Sequence, residues 1–316
     1  MEYKFLHKKF SIAVSFGLIN VTEYCKIIAE FADYIHDVYF SPTESLHFQT
    51  RHNVYDFKST TDVQRKEYLD KVISLAKQLN IKTGLTLNSS MLDRYDAFET
   101  FKSYYGRYKF DFVTTTMPIA RLIKQSGVSI DIICSYNEGI SSFKKLQQVI
   151  DSGLFTFVVL GNKFLRSFQA FHLLDKAGIK SILMLNTGCS AGCVTFCNNN
   201  DKHYCLDLFN NTVDKNDINE VYANQSIFPE ELKEYSKHGI NIDVFKLASR
   251  PITYEELHKL ISSYITEDSA SYINKDIKNY HLYARLAHYT PYYSALDYSR
   301  IIAIKNQIWN CEDCNQ

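Results

Sequence analysis

One feature limits the possible folds of this chain more than any other. Eight short β-rich runs alternate with longer stretches of helical periodicity. The runs cover residues 11–16, 34–40, 82–87, 110–115, 130–135, 155–160, 180–185 and 242–247. Helical patterns fall between them at 21–32, 63–79, 97–105, 119–125, 143–150 and 168–176. Gly127, Gly153, Gly178 and Gly239 stand between a helical stretch and the next run, where a left-handed residue ends a helix at little cost. Eight such units in 316 residues predict a closed (β/α)8 barrel spanning 1–265. The rival, an open doubly wound sheet, usually carries a glycine-rich phosphate loop after its first strand, and Phe16-Gly17-Leu18 is not one. Residues 266–316 read as a helical tail packed on the barrel. The tail holds Tyr272, Tyr280, Tyr283, Tyr289, Tyr292, Tyr293 and Tyr298, and it ends in Cys-x-x-Cys.

A barrel carries out its chemistry at the C-terminal ends of its strands. Polar residues cluster there: Ser41 to Glu44, Asn88-Ser89, Thr115-Thr116, Ser135 to Glu138, Asn162, Asn186 and Ser249-Arg250. The seventh run ends directly before a cysteine set. Cys189, Cys193, Cys197 and Cys205 fall within seventeen residues, and Cys311 and Cys314 close the chain. Six of the eight cysteines therefore sit in two clusters, which is ligand spacing rather than core packing. Four thiolates suit a [4Fe-4S] cluster or tetrahedral zinc. The motif of radical S-adenosylmethionine enzymes fits poorly, because it follows the first strand and its second gap is shorter.

Lys and Arg number 35, as do Asp and Glu, so the overall attraction to phosphate that nucleic-acid binding needs is missing. No apolar run reaches the ~18 residues of a membrane span. Lys8-Lys9 lead into a strand-like run rather than a signal peptide, and the expected location is the cytoplasm. Structural disulfides are rare in that compartment, which favours metal chemistry for the thiols.

Individual side chains add further candidates. His47, in the long loop after the second run, is a proton-transfer candidate, and Glu138 is a pocket acid. Arg250 precedes Pro251 and a helix opened by the capping-box pair Thr253 and Glu256. A guanidinium held there can grip a carboxylate. Arg166 is a weaker case of the same kind. Asn162 and Asn186 end strands, where each can orient a bound molecule. The chain contains no His-Glu-x-x-His or phosphate-loop motif.

The segment Asn186-Thr-Gly-Cys189-Ser-Ala-Gly-Cys193, taken with Ser135-Tyr-Asn137 and Phe245-Lys-Leu-Ala-Ser-Arg250, resembles the collagenase-like peptidase family (peptidase family U-thirty-two). Leu160-Gly-Asn162-Lys-Phe-Leu-Arg166 resembles a strand–loop–helix junction of its short branch, and the likeness spans roughly residues 10 to 260. The resemblance implies a barrel with a cysteine-bound [4Fe-4S] cluster and oxygen-independent hydroxylation, with prephenate as the oxygen source in better understood members. It also implies a heterodimeric partner for short members. By the same resemblance Cys189 and Cys193 are ligands, followed by Cys205 and Cys197. The chain lacks the downstream Cys-x-x-x-Cys-Arg run of longer relatives, so the fourth ligand stays open among Cys197, Cys205, Cys311 and Cys314. The expected activity is redox or hydroxyl-transfer chemistry on a small or carrier-bound substrate. A non-catalytic subunit with a structural metal and a peptidase are the alternatives.

Overall fold

The structure is a computed structural model and describes residues 10–14, 19–43, 60–88, 93–161, 164–186, 217–247, 253–273 and 295–310. Eight parallel strands close on themselves in sequence order. They are β1 (Phe10–Ala13), β2 (Ile35–Phe40), β3 (Lys82–Leu87), β4 (Phe112–Thr115), β5 (Asp131–Cys134), β6 (Phe157–Leu160), β7 (Lys180–Met184) and β8 (Val244–Leu247). The expected (β/α)8 barrel is the observed fold.

The helices outside the strands are α1 (Val21–Glu30), α2 (Asp62–Gln78), α3 (Arg94–Tyr108), α4 (Met117–Gln125), α5 (Phe143–Asp151), α6 (Phe168–Lys176), α7 (Ile218–Gln225), α8 (Leu232–Lys237), α9 (Tyr254–Thr266), α10 (Ala270–Ile273) and α11 (Tyr298–Asn310). The pair α7 and α8 between β7 and β8 is absent from the sequence expectation. Both are short, and their apolar residues are too few to set up a clear helical period.

Local chemistry explains most boundaries. The Thr253 side chain accepts a hydrogen bond from Glu256 N, and Glu256 bonds back to Thr253 N, so the expected capping box starts α9. Gly178 ends α6 at φ 68°, and Gly239 follows α8 at φ 72°, as their places before β7 and β8 required. Asn80 takes the same left-handed role after α2 at φ 56°.

Two apolar groups form the core. The larger fills the space between the barrel wall and the helices, and the smaller fills the barrel itself with Phe112, Ile133, Phe157, Ile182 and Val244 among its members. A polar pair sits among these apolar residues near the floor of the barrel. Between Phe10 and Ser11 the β1–β2 register slips by one residue, which puts Asp37 opposite Ser11. Its carboxylate accepts Ser11 Oγ at 2.6 Å and lies 2.6 Å from His36 Nδ1, so the buried acid is fully engaged.

In the tail, α11 packs along α7. Arg300 pairs with Asp217, and the Lys305 ammonium donates to Ala223 O and Ser226 O. Among the described residues no helix is long and apolar enough to cross a membrane.

Candidate functional site

Strand register determines which side chains share the barrel interior. Side chains alternate along each strand, and in a closed eight-stranded sheet the inward ones stack in layers drawn from alternate strands. Following the register around the barrel gives four described layers. The lowest holds Asp37, Phe112, Phe157 and Val244. Above it come Ser11, Gly84, Ile133 and Ile182. The third layer is Tyr39, Thr114, Val159 and Lys246, and the fourth is Ala13, Thr86, Ser135 and Met184.

The lower two layers close the barrel. Gly84 leaves space that the Phe112 ring fills. The upper two layers face the C-terminal mouth, and they are divided in character. On the arc of β8, β2, β3 and β4 stand Lys246, Tyr39, Thr86 and Thr114. On the arc of β6 and β7 stand Val159 and Met184. Lys246 is buried, and its Nζ lies 3.9 Å from the centre of the Tyr39 ring, a cation–π contact. The Tyr39 hydroxyl donates to Leu247 O at 3.2 Å. Thr86 and Thr114 are paired in register on β3 and β4 and are 2% and 1% exposed. Each has a buried Oγ1 with no hydrogen-bond partner among the described residues, as does Asn88 Oδ1 one step up β3.

The rim above is a connected polar set. Asn88 Nδ2 donates to Ser135 Oγ at 2.7 Å, and the same oxygen accepts Asn137 N at 3.1 Å. Asn137 Nδ2 returns a bond to Asn88 O at 2.9 Å. These bonds tie the end of β3 to the turn after β5. The Tyr136 ring lies against Gly161 at the end of β6, where a side chain on residue 161 would overlap it. Asn186, fully buried, stands two residues past β7 at the same rim.

Glu138 completes the turn after β5. Its Oε2 accepts Met117 N at 2.8 Å, at the start of α4, and its Oε1 accepts Lys145 Nζ at 2.8 Å, from α5. Both oxygens are thereby engaged in bracing two helices beside the mouth.

Arg166 sits in the turn before α6 and points away from the interior. It donates from Nε and Nη2 to Glu231 Oε1 at 3.0 and 2.6 Å, and from Nη2 to Ser226 O at 2.7 Å. Lys305 Nζ reaches Glu231 Oε2 at 2.6 Å, and Trp309 Nε1 reaches Oε1 at 2.9 Å. Burial opposes ionisation of Glu231, but Arg166 and Lys305 outweigh it and hold the carboxyl below its ordinary value. Burial and the Arg166 charge lower Lys305 to about 7, against the pull of Glu231.

The remaining candidates are His47, Asn162, Arg250, Cys189, Cys193, Cys197, Cys205, Cys311 and Cys314, and all lie outside the described residues. Of the two described cysteines, Cys134 faces the helix side of the wall, where burial and Glu138 raise its thiol well above the ordinary range. Among the described residues no group of three or more His, Cys, Asp or Glu side chains is placed to hold a metal ion. Sequence reasoning passed over Lys246, Thr86 and Thr114. The signal was present as period-two alternation, since Val244 and Lys246 must share one face of β8, as Gly84 and Thr86 share one face of β3.

No family model matches the sequence, and no curated protein matches it. Among solved structures the chain is similar to a U32 peptidase, at 10% identity over 77% of this chain and 93% of that one, with a TM-score of 0.46. It is also similar to dihydrodipicolinate synthase from Bacillus clausii, at 10% identity over 96% of this chain and 79% of that one, with a TM-score of 0.43. The barrel itself is established by the register of this chain's own eight strands.

Proposed function

We propose that the chain is a barrel enzyme of the oxygen-independent, iron–sulfur type, acting on a small or carrier-bound substrate at the mouth of the strands. The observation that carries this reading is the position of Asn186. It stands two residues past β7, buried at the rim, and Cys189, Cys193, Cys197 and Cys205 follow it in the sequence. A barrel's working face and a four-thiolate donor set thus begin at one point of the chain. The donor chemistry fits a [4Fe-4S] cluster, with zinc as the alternative.

Such a cluster, when bound, supplies electron transfer. The chain's own residues supply the rest. Asn88, Ser135 and Asn137 hold the rim rigid, and Tyr136 and Met184 give the substrate an apolar surface. Arg250 grips an anionic group, and His47 moves a proton. The proposal extends to a paired subunit and to the reducing cytoplasm, where free thiols persist.

The deciding experiment is iron and sulfide analysis of anaerobically purified protein. About four iron and four sulfide per chain are expected, with loss of both in Cys189→Ala and Cys193→Ala. Colourless protein containing zinc, with activity of its complex unaffected by Arg250→Ala, supports a structural subunit instead. Proteolysis that survives chelation and cysteine substitution supports a peptidase.

A further inference from the structure

We infer that the upper barrel interior binds the uncharged, hydrogen-bonding head of a small ligand with an apolar body. The head is a hydroxyl or carboxamide that donates to Asn88 Oδ1 and pairs with the Thr86 and Thr114 hydroxyls. The inference rests on the reading of the mouth as the substrate site, but not on the cluster.

Three observations support it. First, three buried polar atoms near the mouth have no hydrogen-bond partner among the described residues: Thr86 Oγ1, Thr114 Oγ1 and Asn88 Oδ1. Thr86 and Thr114 are paired in register on β3 and β4, share the inward face and are almost wholly buried, and Asn88 follows two residues after Thr86. A buried polar atom without a partner is costly, so three together mark a place where a ligand completes the bonding. Ser135 adds a donor, because its Oγ accepts both Asn88 Nδ2 and Asn137 N and its hydrogen is left to give.

Second, these groups carry no charge, and the charged side chains around them are engaged. Lys246 has partners within the chain, its Nζ lying over the Tyr39 ring. Asp37 is held by Ser11 and His36, and Glu138 by Met117 and Lys145. The Asn88 oxygen can only accept, whereas a hydroxyl gives and accepts. A carboxylate has no hydrogen for Asn88, and an ammonium has no lone pair for Ser135. An uncharged group that both donates and accepts satisfies the whole set.

Third, the layer that holds Thr86 is built from small side chains. Ala13, Thr86 and Ser135 are three of its four members, whereas Phe112 and Phe157 fill the lowest layer. Bulky side chains are what fill an eight-stranded barrel, so this layer leaves room above the floor. Its fourth member, Met184, is unbranched and adaptable, and with Val159 and the Tyr136 ring it forms an apolar side for the ligand's body.

Benzamide and acetophenone separate hydrogen donation from shape, since a methyl group replaces the amide nitrogen. Ligand-observed NMR titration of the full chain should show benzamide binding, with acetophenone about tenfold or more weaker. Thr86→Val combined with Thr114→Val should weaken benzamide by a similar factor. Benzoate, titrated alongside, should bind no better than acetophenone. No benzamide binding, equal binding of benzamide and acetophenone, or benzamide binding undiminished in the threonine variant overturns the inference. Benzoate binding tighter than benzamide assigns the site to an anion and also overturns it. Circular dichroism checks the fold. If the double variant does not fold, the single nearly isosteric substitutions carry the test by the same criterion. Iron and sulfide are measured on the same samples. Benzamide binding without iron sustains the site while refuting the cluster, and an iron-loaded chain indifferent to benzamide does the reverse.

Discussion

The ring of Phe112 occupies the space that a side chain on Gly84 would need. The two residues face each other from neighbouring strands, in register, and their contact forms part of the floor beneath the barrel's polar layers. A methyl group at position 84 would fall on the ring itself. Gly84→Ala should therefore destabilise the protein by about 1–3 kcal/mol through overpacking, measured by chemical denaturation. Adding Phe112→Leu should recover part of that loss. Strictly additive costs in the double variant would show that the two residues do not compete for space.

The unpaired threonine hydroxyls yield a prediction of opposite sign. Thr86→Val and Thr114→Val each remove a buried hydroxyl that has no partner among the described residues, and keep its shape. Each should leave stability unchanged or raise it by about 1 kcal/mol. A loss above that amount in thermal denaturation would mean that the hydroxyls are satisfied within the folded chain.

Ser135 joins two strand ends through one oxygen. Replacing it with Ala leaves Asn88 Nδ2 and Asn137 N without their acceptor. A cost of about 1–3 kcal/mol is expected, with faster amide exchange at Asn137. Unchanged exchange there would show that the rim does not depend on this bond.

Glu231 holds α11 to the barrel wall through Arg166, Lys305 and Trp309. Glu231→Gln leaves two buried cations facing a neutral amide, so a loss of about 3–5 kcal/mol is expected. The pH dependence follows from the sign of the shift. The folded carboxyl lies below its ordinary value of 4.5, so its contribution is present above pH 4.5 and is lost as pH falls through the folded value. Denaturation curves of the natural protein should lose stability over that acid range, and those of Glu231→Gln should lack that component. Identical acid profiles would remove Glu231 from the account.

Lys305 responds in the other direction. Its folded value is about 7 against an ordinary 10.5, so the unfolded chain holds more protons between those values. Stability should rise with pH across that range, and Lys305→Met should flatten the rise. A slope unaltered by the substitution would show that Lys305 titrates alike in both states.

The sequence alone determined the alternation of strands and helices, the barrel that follows from it, and local devices such as the Thr253–Glu256 capping box and the glycines before β7 and β8. These depend on periodicity and on contacts a few residues apart, so they are legible without the fold. It also located Ser135 to Glu138 and Asn186 at strand ends, because run boundaries are local. Tertiary structure alone decided that Glu138 braces α4 and α5, and that Arg166 turns to Glu231, 65 residues away, rather than to the mouth. It likewise decided that Lys246 shares a layer with Tyr39, 207 positions earlier. The physical reason is closure. Which inward side chains meet depends on the shear of the whole sheet, including the slip at Ser11 and Asp37, and a buried charge pairs with whatever partner the closed barrel brings within reach.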